Sequence, residues 1–172
     1  MLGSMKRIIT LGLSLSICAV PVMAQSLKIG GGWTLPQGDY EDAVTSGWHG
    51  MAAFNFSAPA SPLGIRVDGA YHLSPFDFPG DPDASSAIIA VGGDATYSIA
   101  AGGLSPYILG GVSWGTAKCT GDDCLSDASE DAWGYNFGGG VDIGMFFAEA
   151  RYVWLGGDLE ISFVPITVGL RF

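Results

Sequence analysis

The last nine residues of the sequence, 164–172, alternate strictly between two kinds of side chain. The apolar set consists of Val164, Ile166, Val168, Leu170 and Phe172. Successive side chains of a strand point to opposite faces, so one face is apolar and the other carries small residues and one cation, Arg171. The printed sequence ends on an aromatic residue, and an unpaired apolar edge there would invite aggregation. We therefore expect this strand to pair on both edges, most simply by closing a barrel onto the first strand.

Seven earlier segments show related alternation and complete a set of eight. The eight segments are 26–35, 48–56, 63–73, 87–99, 106–116, 132–143, 146–154 and 164–172. Each has roughly ten residues, the length that a tilted membrane strand needs. The fifth is ambiguous, because Tyr107 and Leu109 on one face and Ile108, Val112 and Trp114 on the other are both apolar. The second set is favoured as the lipid-facing one.

The connections between these segments fall into two classes. They are long and acidic after the first, third and fifth segments and, in shorter form, after the seventh, but short and rich in Gly, Pro, Ser and Ala after the others. Long external loops and short periplasmic turns are typical of outer-membrane barrels. The sequence therefore predicts an all-β fold, an eight-stranded antiparallel up-and-down transmembrane β-barrel in the bacterial outer membrane.

The first 24 residues have the pattern of a cleavable signal peptide. Lys6 and Arg7 precede an apolar run from 8 to 22, and Val22-Met23-Ala24 provides small residues before Gln25. We expect residues 1–24 to be removed and residues 25–172 to form one barrel domain.

Charge and hydropathy narrow the class of protein further. Without the first 24 residues, five Lys and Arg remain against 17 Asp and Glu, a net charge of −12, which disfavours nucleic acid as a partner. The mean hydropathy is nevertheless positive, and no second apolar stretch is long enough for a spanning helix. A soluble lipocalin-type barrel is the alternative, but the polar faces carry few charges for a solvated exterior, and their small residues suit a narrow lumen.

An apolar outer face would place a balanced set of charges inside the barrel. Arg or Lys facing lipid at mid-bilayer costs about 2–4 kcal/mol, whereas inside the barrel it can find a partner. Counting along the strands predicts a luminal charge network with five members near mid-depth and two, Lys28 and Arg171, near the periplasmic rim. The five are Arg66, Asp68, Asp94, Glu149 and Arg151, and Asp142 is also expected to face inward. We expect the paired network to close the lumen.

The surplus negative charge is external, with thirteen acids in the loops against one cation, Lys118. These acids predict a hydrophilic surface, which could also bind divalent cations. Cys119 and Cys124 lie in one exported loop and are predicted to form a local disulfide. No metal site, cofactor or catalytic residue is expected.

Several motifs resemble the outer-membrane β-barrel domain family related to OmpX and the opacity proteins. The most specific are Glu149-Ala-Arg-Tyr152 and the ending Pro165-Ile-Thr-Val-Gly-Leu-Arg-Phe172; the others are Gly30-Gly-Gly-Trp33, Arg66-Val-Asp-Gly-Ala-Tyr71 and Pro106-Tyr107. The resemblance implies a surface, structural or adhesion-type role. It also implies that Val168, Leu170 and Phe172 form the signal that the barrel-assembly machinery reads.

The function expected from this resemblance is that of a non-enzymatic surface protein. Its partners would be outer-membrane lipid and lipopolysaccharide, the assembly machinery during insertion and a host or cell-surface ligand at the loops, with the barrel itself a monomer. The alternatives are a narrow porin-like channel and an outer-leaflet lipid A-modifying enzyme. The latter rests on His72-Leu-Ser74, because a lipid A deacylase uses His and Ser at this spacing together with a Glu.

Overall fold

The computed structural model describes residues 24–77, 84–99, 103–121, 124, 129–157 and 160–172. Eight antiparallel strands form one closed barrel in chain order, with β1 pairing both β2 and β8. The strands are β1 Ala24–Gln37, β2 Gly47–Ser57, β3 Leu63–Pro75, β4 Ser85–Ser98, β5 Leu104–Thr120, β6 Ser129–Ile143, β7 Phe146–Leu155 and β8 Ile161–Arg171. The predicted fold class is confirmed. Residues 1–23, most of the predicted signal peptide, lie outside the described residues.

The outer face of the barrel is apolar on every strand. Large hydrophobic side chains that would be buried in a soluble core are exposed here, such as Ile29 on β1, Val67 on β3 and Val168 on β8. On the ambiguous β5, Ile108 and Val112 are exposed and Tyr107 and Leu109 are buried. The favoured orientation of that strand is therefore the one in the structure.

Aromatic side chains mark the external end of this apolar band. Trp33 of β1 pairs with Trp48 of β2, and the Trp48 ring lies 5.9 Å from that of Tyr71. Tyr135 and Trp154 stack with centroids 5.1 Å apart. Rings at this level form the aromatic girdle that anchors a barrel at the membrane interface.

Most strands extend beyond their predicted ends, mainly on the side of the long loops. β5 reaches Thr120, β6 begins at Ser129 and β8 begins at Ile161. The inward side chains of β8 at this level, Ile161 and Phe163, are apolar and buried, so the alternation that identifies a strand disappears there. A 3-10 helix, Gly38–Tyr40, occupies the loop between β1 and β2. Among the described residues, no helix has the length and apolar composition needed to cross a membrane.

Candidate functional site in the barrel lumen

The lumen is filled by four groups of side chains stacked along the barrel axis. Their order follows the strands: β3 runs from the short turn at 58–62 through Arg66, Asp68 and His72 to the loop after Pro75. From the periplasmic end outward, we name these groups the mouth, the central cluster, the histidine layer and the external cap. The central cluster comprises Arg66, Asp68, Asp94, Glu149 and Arg151, all of which are buried.

Glu149 is the best-paired carboxylate of the central cluster. Its Oε2 accepts hydrogen bonds from Arg66 Nη1 at 2.5 Å and from the Tyr107 hydroxyl at 2.7 Å. Its Oε1 lies 3.1 Å from Arg151 Nε. Oε2 therefore accepts two hydrogen bonds, whereas Oε1 contacts Arg151 as an ion pair without a hydrogen bond. The Glu149 charge is compensated by Arg66 of β3 and Arg151 of β7.

Asp68 forms a two-point pair with Arg151 across the lumen. Arg151 Nη1 and Nη2 donate to the two Asp68 carboxylate oxygens at 3.2 and 3.1 Å. Arg66 Nε lies 3.4 Å from Asp68 Oδ1. The planar guanidinium matches the carboxylate in this geometry, which makes such pairs stronger than single contacts.

Asp94 is the least-paired member of the central cluster. Its side chain is fully buried, and the nearest cationic nitrogens, Arg151 Nη1 and Arg66 Nε, lie 3.7 and 4.0 Å from Oδ2. Neither Asp94 oxygen has a hydrogen-bond partner among the described residues. Asp94 therefore differs from both of its neighbouring carboxylates.

The mouth holds the remaining luminal charges. Lys28 Nζ donates to Asp142 Oδ1 at 2.6 Å and lies 3.9 Å from the centroid of the Tyr107 ring, while Arg171 Nη1 lies 3.2 Å from Asp142 Oδ2. The Arg171 side chain is 40% exposed, whereas that of Lys28 is 4% exposed. A polar cavity of about 90 Å³ opens beside these residues.

The histidine layer lies above the central cluster. The Thr34 hydroxyl is within hydrogen-bond distance of Nδ1 of both His72 and His49, at 2.8 and 3.2 Å. His49 Nε2 lies 2.8 Å from the Thr167 hydroxyl, and the two imidazole rings are 5.1 Å apart. These bonds join β1, β2, β3 and β8 in one polar layer.

The external cap closes the lumen with apolar side chains. Phe163 and Leu155 are fully buried in it, and Tyr40 and Val44 enter it from the loop between β1 and β2. The Tyr40 hydroxyl donates to Ser86 at 3.0 Å, and burial raises the pKa of this phenol above its ordinary value of 10.0. The other members of the cap are Ile88, Ala117, Ala132, Val153 and Ile161.

The structure divides the predicted luminal network into two groups. The five residues expected near mid-depth lie together in the central cluster, whereas Lys28 and Arg171 meet Asp142 at the mouth. Tyr107 lies on the inward face of β5, as the favoured assignment of that strand implies, but its contact with Glu149 was not predicted. The histidine layer and the external cap were not predicted either.

The residues predicted to form the disulfide and the assembly signal lie away from the central cluster. Cys119 and Cys124 are joined by a disulfide at the external end of β5, with Cα atoms 5.7 Å apart. Val168 of β8 is exposed on the outer face and Leu170 is half-buried, and Phe172, directly after β8, is exposed.

His72 and Ser74, the residues of the His-x-Ser motif, both point into the barrel. His72 is 3% exposed and Ser74 1% exposed, and Ser74 Oγ has no hydrogen-bond partner among the described residues. Within the described ranges, no group of three or more His, Cys, Asp or Glu side chains is arranged to hold a metal ion.

Comparisons with solved structures identify the same architecture. Neisserial surface protein A matches with a TM-score of 0.70 at 15% identity, covering 86% of this chain and 95% of that one. The Yersinia pestis outer membrane protein Ail, in a phospholipid bilayer nanodisc, matches with a TM-score of 0.51 at 16% identity, covering 87% and 100%. The outer membrane enzyme PagL matches with a TM-score of 0.52 at 12% identity, covering 87% and 99%. Identity this low supports the fold alone.

Comparison at the sequence level gives the family. No curated protein matches the chain. The family model of the outer membrane protein beta-barrel domain matches residues 10–172, nearly the whole sequence. Together with the closed barrel and its apolar outer face, this match establishes that the chain belongs to the outer membrane protein beta-barrel domain family and is a bacterial outer-membrane protein.

Proposed function

We propose that this barrel is a non-enzymatic surface protein that acts through its external loops and conducts nothing through its lumen. The observation that carries the proposal is the filled lumen. The central cluster joins β3 to β7 on the opposite wall, and the histidine layer joins four consecutive strands, β8, β1, β2 and β3. The external cap gathers buried apolar side chains from β4 to β8 and from the loop between β1 and β2. An eight-stranded barrel has room for little beyond its own side chains.

The charged and apolar layers would obstruct a solute in different ways. Passage through the central cluster would separate ion pairs that lie in a buried, low-dielectric site, and removing one partner of such a pair costs about 3–5 kcal/mol. Passage through the cap would require Phe163 and Leu155 to leave a packed apolar cluster. Both obstacles argue against the porin-like alternative.

The external loops are the part of the molecule that a partner can reach. Asp39, Glu41 and Asp42 are exposed in the loop between β1 and β2, and Glu130 and Asp131 are exposed at the start of β6. A surface with this charge favours cationic groups on a host or cell-surface partner, or divalent cations that bridge to lipopolysaccharide phosphates. An adhesion-type role follows from this surface.

The orientation of the His-x-Ser motif supports the non-enzymatic part of the proposal. An enzyme that modifies outer-leaflet lipid needs its nucleophile and base on a surface that the lipid can reach. His72 and Ser74 are instead buried inside the barrel, beneath the loop between β1 and β2. The lipid A of cells that express the protein should therefore keep its mass, and a mass change that disappears in a Ser74→Ala variant would contradict this assignment.

The last strand of the barrel would serve as the signal for its assembly in the outer membrane. The outward side chains Val168, Leu170 and Phe172 present an apolar, aromatic-ended strand to the barrel-assembly machinery. Because β8 closes onto β1 with ten register pairs, the folded barrel has no open seam, and a monomer is the expected state.

The deciding experiment is conductance of the refolded barrel, residues 25–172, in a planar bilayer, after heat-modifiable gel mobility has verified folding. The proposal predicts a folded barrel without channel activity. Stepwise conductance that persists in a loop-shortened variant would assign the protein to the porin-like class. A known open outer-membrane porin, reconstituted in the same bilayers, is the positive control.

A further inference from the structure

We propose that the central cluster is a proton-binding site, in which Asp94 holds one proton and donates it in a hydrogen bond to Asp68. The charged groups of the cluster do not balance. Two arginines, Arg66 and Arg151, face three carboxyl groups, those of Asp68, Asp94 and Glu149. With all five groups ionised, one negative charge would remain uncompensated in the interior of the barrel.

The other luminal charges do not compensate this excess by contact. Lys28 and Arg171 both pair with Asp142 at the mouth. The Tyr107 ring packs against Lys28, and the Tyr107 hydroxyl donates to Glu149. An unpaired ion in a low-dielectric interior costs several kcal/mol even after relaxation. A buried group in this position neutralises instead of remaining charged.

The contacts identify the carboxyl group that takes the proton. Glu149 accepts hydrogen bonds from Arg66 and Tyr107, and Asp68 accepts two from Arg151. Asp94 accepts none from the described residues, although its side chain is fully buried. Asp94 is therefore the member of the cluster that gains least from being ionised.

The same distances place a proton acceptor beside Asp94. Arg66 Nε lies 3.4 Å from Asp68 Oδ1 and 4.0 Å from Asp94 Oδ2. Arg151 Nη1 lies 3.2 Å from the first oxygen and 3.7 Å from the second. The two carboxyl groups therefore share both guanidinium neighbours, and a proton that Asp94 donates to Asp68 would turn their repulsion into a hydrogen bond.

A proton fits this position better than a metal ion does. A Cβ atom added at Gly111 would lie 2.6 Å from Asp94 Oδ1, and one added at Gly92 would lie 3.3 Å from Asp68 Oδ1, so the wall is closely packed against both groups. The cavity at the mouth is lined by neither aspartate. The charged groups that contact the pair are Arg66 of β3 and Arg151 of β7. The other titratable and polar groups buried on neighbouring strands are His49 of β2, His72 of β3, Ser113 of β5, Asn136 of β6 and Glu149 of β7.

The test compares amide variants of the two aspartates in the refolded barrel, using urea titration in lipid vesicles at neutral pH. Asp94→Asn keeps the shape and supplies the donor that a protonated acid would supply, so its urea midpoint should equal that of the unmodified barrel. Asp68→Asn removes the acceptor of the Arg151 pair and should lower the midpoint. Equal losses in the two variants would overturn the proposal. A urea midpoint that rises with sodium concentration in the unmodified barrel but not in Asp94→Asn would also overturn it, because sodium would then occupy the site in place of a proton.

A spectroscopic measurement keeps the proposal testable even if a variant fails to fold. Infrared spectra of barrels with carbon-13-labelled aspartate carboxyl groups should contain the band of a protonated acid at neutral pH. The band should be absent in Asp94→Asn and retained in Asp142→Asn, the matched control at the mouth. A folded, unmodified barrel without this band would refute the assignment.

Discussion

Arg151 on β7 and Asp68 on β3 face each other from opposite walls of the barrel and form a two-point ion pair, at 3.2 and 3.1 Å, between residues 83 positions apart in the sequence. In chain order, four strand steps separate β3 from β7 in either direction around the barrel. The pair therefore connects opposite walls across the lumen, and it cannot form until the sheet has curved enough to bring β3 and β7 together.

Replacing Arg151 with methionine should destabilise the barrel strongly. The variant leaves Asp68 without its two-point partner inside the lumen, and loss of one partner of a buried pair costs about 3–5 kcal/mol. Urea titration in lipid vesicles, followed by heat-modifiable gel mobility, gives the free energy of unfolding. Arg171→Gln is the matched control, because Arg171 is 40% exposed and a surface pair contributes about 0–1 kcal/mol. Equal losses of unfolding free energy in the two variants would show that the ion pair across the lumen does not stabilise the barrel.

Replacing Gly140 with alanine should disturb the central cluster without changing any charge. A Cβ at this position would lie 2.5 Å from both the Ala148 carbonyl oxygen and the Tyr107 hydroxyl, which holds Glu149. Forcing extra atoms into a packed interior typically costs about 1–3 kcal/mol. Gly93→Ala is the control, since a Cβ there meets nothing within 4 Å. The free energies of unfolding of the two variants, compared in the same vesicles, test this expectation.

The central cluster could be predicted because strand alternation and charge give independent evidence for it. A period of two assigns Arg66, Asp68 and Arg151 to the face opposite the apolar one, and position along each strand gives their depth. Arg66 and Asp94 are in fact register partners on β3 and β4. What alternation could not give is which carboxylate each arginine contacts, because that depends on the curvature of the closed sheet.

The external cap could not be predicted, because strand alternation does not separate the inward face from the outward face at this level. At this level the inward residues, such as Phe163 and Leu155, are as apolar as the outward ones, so the two faces of the strand look alike in sequence. Tyr40 and Val44 lie in a loop, where no period exists to assign a direction. Packing of the loop onto the lumen is a tertiary effect, and it becomes visible only in the folded barrel.

Truncation of Phe163 to alanine should weaken the external cap but leave the barrel closed to ions. The fully buried ring contacts the His72 imidazole at 4.7 Å between centroids, and Phe-to-Ala changes in cores cost about 3–5 kcal/mol. Planar-bilayer recordings of the folded variant should stay silent, because the central cluster below is intact. Conductance in this variant would instead identify the cap as the main barrier.

Placing an arginine on the outer face should cost most at mid-depth. Val67 is exposed on the outside of β3, and Val67→Arg should lower the free energy of unfolding in vesicles by about 2–4 kcal/mol, because the charge faces hydrocarbon. Trp133 is exposed on β6, two residues nearer the external end than Tyr135 of the aromatic girdle, so Trp133→Arg adds the same charge at the membrane interface. The cost there falls to about 0–1 kcal/mol. A similar penalty at both positions would indicate that this face does not span the bilayer as assigned.

Alkaline solution should release the loop between β1 and β2 from the external cap. Burial raises the pKa of Tyr40 in the folded barrel, so its neutral phenol stabilises the docked loop below the unfolded-state pKa, and this contribution is lost as the pH rises through the folded-state value. Cleavage of the exposed segment around Glu41 and Asp42 by a protease active at alkaline pH, followed by mass spectrometry, should therefore accelerate from about pH 10 upward. Tyr40→Phe keeps the packed ring but cannot ionise, so its cleavage should not show that rise, and dividing one rate by the other removes the pH dependence of the protease itself. A constant ratio across this range would mean that Tyr40 does not hold the loop in place through its neutral form.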